Sequence, residues 1–82
     1  MYTRNLDIQV FALEKVGQVL GQIRARMLLE SFLARREQAR LASAEDLEAF
    51  GVDLTMYGGT EETIGAQLRR QAALLGVADG RG

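Results

Sequence analysis

From Asn5 to about Ala42 the chain runs without a strong stop signal, and its apolar residues recur at helical spacing. Val10, Leu13, Val16, Leu20, Ile23 and Met27 advance in steps of three or four, which places them on one helical face. A second row, Ala12, Val16, Val19 and Ile23, widens that stripe. Further along, Leu28, Leu29, Phe32 and Leu33 are apolar while Glu30 and Ser31 are not, so the stripe rotates about the axis. A helix with a rotating stripe meets more than one neighbour. Asn5 suits the N-cap, Asp7 the first turn, and Arg35, Arg36 and Arg40 the C-terminal end, each in agreement with the helix dipole. Two features cut against one straight helix. Leu6, Ile8 and Val10 alternate with Asp7 and Gln9, which is also a strand pattern. Gly17 and Gly21 each cost about 1 kcal/mol inside a helix and mark the places for a kink.

Two shorter elements follow. Ser43 is a good N-cap, Asp46 imitates a capping box, and Leu47 and Phe50 form the apolar side of a short helix. Gly51 reads as the residue that ends it, with Val52 packing back on Leu47. Asp53–Gly59 reads as a loop in which Leu54, Met56 and Tyr57 pack. Thr60 then caps a medium helix to Leu75, with Glu61 and Glu62 in its first turn, Arg69 and Arg70 late in it, and Ile64, Leu68, Ala72 and Leu75 on one face. Gly76 and Val77 repeat the glycine-apolar ending, and 78–82 reads as a tail. The expectation is an all-α protein with a single domain over 1–77, one long N-terminal helix leading it.

Composition narrows the chemistry. Histidine, cysteine, proline and tryptophan are absent from the 82 residues. Disulfides, thiolate chemistry, Cys/His zinc sites and histidine-based catalysis go with them. No apolar run is long enough to span a bilayer, and Asp7 and Gln9 interrupt any signal-peptide pattern, so the expected compartment is the cytoplasm. The net charge is -1, but it is uneven: residues 1–40 sum to about +3 and residues 41–82 to about -4, so the halves can attract each other or another copy.

Four patterns bear on function. Gly17-Gln-Val-Leu-Gly21 has small residues one turn apart, which admits a close helix crossing, at a partner or within the chain itself. Residues 13–30 also resemble a helix-turn-helix segment, with Arg24 and Arg26 opening the second helix, although Gln22 stands where an apolar residue usually packs. Arg24, Arg26, Arg35, Arg36 and Arg40 form a basic tract, which can meet phosphate or an acidic surface, or simply the chain's own acids. Glu45, Asp46, Glu48 and Asp53 cluster without the spacing of a calcium loop, and they read as capping acids rather than a metal site.

Size completes the expectation. A helix over 5–42 is roughly 57 Å long, and the roughly 36 Å of helix after it cannot cover a stripe from Val10 to Leu33. Each large apolar side chain left in water forgoes about 1.5–3 kcal/mol. A second copy is then expected across Leu13, Val16, Gly17, Leu20, Gly21, Ile23 and Met27, giving a helical homodimer. The expected function is that of a small interaction module (regulator, inhibitor, adaptor or assembly factor) that binds a second protein without catalysis, cofactor, metal or small-molecule substrate. Arg24, Arg26, Arg35, Arg36, Arg40 and Tyr57 are the residues expected to meet that partner. The alternative is a dimeric DNA-binding regulator using residues 13–30.

Overall fold

The computed structural model describes residues 7–76, which form four helices: α1 (Ile8–Leu20), α2 (Gln22–Arg36), α3 (Ala44–Thr55) and α4 (Gly59–Gly76). Among the described residues there is no strand, so the chain is all-α. The single long N-terminal helix is corrected to two. Gly21 separates α1 from α2 with φ 92° and ψ 155°, a backbone conformation essentially confined to glycine. Ile8–Phe11 are helical, which disposes of the strand alternative there. The N-cap expected at Asn5 lies outside the described residues. Asp7 caps α1 instead, its Oδ1 accepting from the backbone N–H groups of Gln9 (3.0 Å) and Val10 (3.2 Å).

The rotating stripe explains the break. The inward residues of α1 are Ala12 and Val16, and those of α2 are Ala25, Leu28, Leu29, Phe32 and Leu33. On one straight helix these two faces would point roughly 150° apart. A turn at Gly21 brings both into a common core. The described residues extend 34 × 24 × 21 Å, far short of the rod the unbroken spacing suggested. Contrary to the expectation from size, the chain itself buries Ala12, Val16, Leu28, Leu29, Phe32 and Leu33, and leaves Val10, Val19, Ile23 and Met27 exposed.

The acidic half forms a helical hairpin. Ser43 caps α3 as expected, its Oγ accepting from the Asp46 N–H at 3.2 Å. The Asp46 carboxylate in turn accepts from the Ala42 N–H at 2.8 Å, one residue earlier than a capping box requires. The helix does not stop at Gly51. It continues to Thr55, so Val52 points outward and the expected Val52–Leu47 closure does not form. The loop shrinks to Met56–Gly58, and Leu54 lies fully buried in α3. Positive φ at Gly58 (76°) and Gly59 (60°) makes the turn, so α4 starts at Gly59 and Thr60 is inside it.

Gly51 and Gly65 sit where α3 and α4 cross. A Cβ on Gly51 would lie 2.8 Å from the Gly65 carbonyl oxygen, and one on Gly65 would lie 2.5 Å from the Gly51 carbonyl oxygen. The two backbones touch because neither residue has a side chain. Beside this crossing Phe50, Leu47, Leu54 and Leu68 are fully buried. The Phe32 and Phe50 rings meet at 5.3 Å between centroids and join α2 to α3. Leu41, from the connection between α2 and α3, plugs the same core, and its N–H donates to Gln9 Oε1 at 3.1 Å.

Candidate interaction surface

The basic tract is mostly spent inside the molecule. Arg24 donates to Glu61 at 2.9 Å, tying α2 to the start of α4. Arg35 makes a two-pronged pair with Asp53, 2.8 and 2.9 Å, tying α2 to α3. Arg36 donates to Gln38 Oε1 and lies 4.0 Å from Asp46, with its guanidinium 5.3 Å from the centre of the Phe32 ring. Arg40 donates to both carboxylate oxygens of Asp7. Three of these acids belong to the negative half of the chain, so the charge asymmetry is met within one molecule.

The pairs leave their mark on ionisation. The Arg40 guanidinium, with the capped backbone N–H groups of α1, holds the Asp7 carboxyl below its ordinary range. Arg24 does the same for Glu61, and the hydrogen bonds to Asp53 raise Arg35. Arg26 is different. Among the described residues it makes no ion pair, and neither does Glu30 one turn further on the same side of α2.

The residues expected at an oligomer interface divide into two groups. Val16 is fully buried in its own chain, and Leu13 and Leu20 pack partly buried against the same core, so these three are not a free surface. The space a Cβ on Gly17 would need is taken by the Gln22 side chain. Gly21, Ile23 and Met27 are exposed, Ile23 by 78% and Met27 by 58%. Val19, half-exposed near the end of α1 and separated from Ile23 by the break at Gly21, was absent from the expected set. Helix α2 is therefore apolar on two opposite sides, and its own chain covers only one. Tyr57 is also half-exposed, with Val52 and Met56 beside it in sequence at the end of α3.

One cleft among the described residues bears on chemistry. Lys15, Gln67, Leu68, Arg70 and Gln71 line an open cleft of about 190 Å³ between α1 and α4. It is below the usual size of a small-molecule site and brings no carboxylate to a cation, as general acid–base chemistry would ask. Among the described residues no three acids stand close enough to hold a metal ion, and no helix is long and apolar enough to cross a membrane. The helix-turn-helix likeness weakens on geometry: one residue joins α1 to α2 where that motif uses three or four, and Arg24 is engaged by Glu61. No protein-family model matches this chain, and neither a curated protein nor a solved structure matches it.

Proposed function

We propose that this chain is a small helical interaction module that acts by binding rather than by chemistry, and that the outer face of α2 is met by a second copy. The observation that carries the reading is the exposure of Ile23 and Met27 on the side of α2 opposite Leu28 and Phe32. Charge complementarity selects the partner. Arg26 and Glu30 bracket Met27, are opposite in sign and have no ion-pair partner among the described residues. In an antiparallel two-fold pairing, Arg26 of one copy stands against Glu30 of the other, and the contact repeats by symmetry. One helix face is at the small end of specific interfaces, so the association is weak and follows concentration.

Light scattering across a concentration series tests this. The wild type is expected to pass from monomer to dimer, and Ile23→Ser with Met27→Ser is expected to remain monomeric with little change in Tm, since neither side chain is in the core. Arg26→Glu is expected to weaken the dimer, and adding Glu30→Arg to restore it. A wild type that stays monomeric up to millimolar concentration defeats the reading.

The partner surface for another protein is correspondingly smaller than the basic tract. With Arg26 engaged across the pair of copies, Tyr57 is the member of the expected set that keeps a free face for it.

A further inference from the structure

The α1–α2 junction is one residue from being a continuous helix. The helical ladder runs up to it, with the Gly21 N–H donating to Gly17 O at 2.9 Å, and resumes at once, with the Ala25 N–H donating to Gly21 O at 3.0 Å. Between them, the N–H groups of Gln22, Ile23 and Arg24 have no partner among the described residues, and no side chain caps α2. Straightening the junction would give them the carbonyls of Gln18, Val19 and Leu20. Nothing lies within 4 Å of a Cβ built on Gly21, so the positive φ, and not crowding, is what a side chain there would oppose. In the straightened helix Ala12 and Val16, now buried, would run on into Ile23 and Met27 along one apolar face. The exposed row and the buried row are then parts of one surface.

We infer that the groove filled by α1 also accepts the α1 of a second copy, through a form in which α1 and α2 join across Gly21. The inference rests on the self-association reading for its choice of partner and deepens it by naming the exchanged element. Each contact α1 makes in one chain, including Asp7 with Arg40, Gln9 with Leu41 and Val16 with the core, is remade by the other chain's α1. Only the hinge differs, and the row Val19, Ile23, Met27 forms the new contact where the two long helices cross.

The test uses the fact that the chain has no cysteine. Lys15 on α1 and Arg70 on α4 line one cleft, so Lys15→Cys with Arg70→Cys places two thiols for a short bismaleimide. A closed chain is linked within itself, whereas an exchanged pair gives a band of doubled mass on a denaturing gel. Gly21→Ala, which resists positive φ and favours helix, is expected to raise the doubled band by about tenfold or more over the same background with Gly21. D-alanine at position 21, introduced by ligating synthetic fragments, accepts positive φ and is expected to abolish it. A dimer linked only within chains overturns the exchange while leaving the face-to-face reading intact. A monomeric wild type that exchanges only on Gly21→Ala supports the hinge and overturns that reading instead. If Gly21→Ala does not fold, the inference survives only where the Gly21 form shows the doubled band at high concentration and D-alanine removes it. Any other result overturns it.

Discussion

Glycine meets physically different demands at different places in this chain. Gly21 is required by its dihedral angles, Gly51 and Gly65 by the approach of two backbones, and Gly17 by little more than the resting place of the Gln22 side chain. Alanine is the better helix former by about 1 kcal/mol, so propensity alone makes Gly51→Ala stabilising. The crossing reverses the sign: either Gly51→Ala or Gly65→Ala must push α3 from α4, at an expected net cost of about 1–3 kcal/mol. A thermal melt should show this as a fall of several degrees, while Gly17→Ala stays level or rises, because a flexible amide can move aside. A signal for Gly51 was present. It has Leu47, Phe50 and Leu54 at helical spacing around it, which marks a glycine inside an apolar stripe rather than one past its end. The same holds for Gly65 between Ile64 and Leu68.

Local chemistry decides how α1 and α3 begin. Asp7 and Ser43 cap their helices with carboxylate and hydroxyl oxygens. Helix α2 closes on Glu37 in the left-handed region, φ 56° and ψ 42°, with the Gln38 N–H donating to Leu33 O at 3.0 Å and the Glu37 N–H to Ala34 O at 3.2 Å. This is the hydrogen-bond pattern of a Schellman ending, with a glutamate where glycine is usual. Glu37→Gly should therefore stabilise the chain by about 0.5–1 kcal/mol, the relief of the side chain's steric cost less the entropy glycine loses on folding. An unchanged or lowered melting temperature counts against that account. The position was not legible beforehand, because Arg35, Arg36 and Glu37 continue a helical composition and nothing local announces a stop there. Leu41 ends the ambiguity, since burying it requires the chain to leave the helix first.

Across the whole molecule, ion pairs between distant segments stitch the elements in place: Asp7 with Arg40, Arg24 with Glu61, Arg35 with Asp53. Asp7 and Glu61 both titrate below their ordinary values of 3.8 and 4.5 in the folded chain. A carboxyl whose folded value is lowered contributes stability that is fully present above its unfolded value and lost as pH falls through the folded one. Thermal stability should thus be flat with respect to these groups from neutral pH down to about 4.5, then decline. Asp7→Asn with Glu61→Gln should flatten that acid decline, and a decline of unaltered steepness in the double variant assigns it elsewhere. The pairs are at the surface, so added salt should weaken the effect.

Read residue by residue, the chain already specified its all-α character and its cap at Ser43, because hydrophobic period and capping are local properties carried by near neighbours. The charge asymmetry of the two halves was legible too, though not the acid each arginine would choose. Packing settled what no short window contains: that the rotating stripe folds back at Gly21 instead of spanning a rod, that Gly51 lies within a crossing, and that one face of α2 is buried while Ile23 and Met27 stay in water. Those outcomes depend on which surfaces far apart in sequence can close around one core, and only the assembled chain brings those surfaces together.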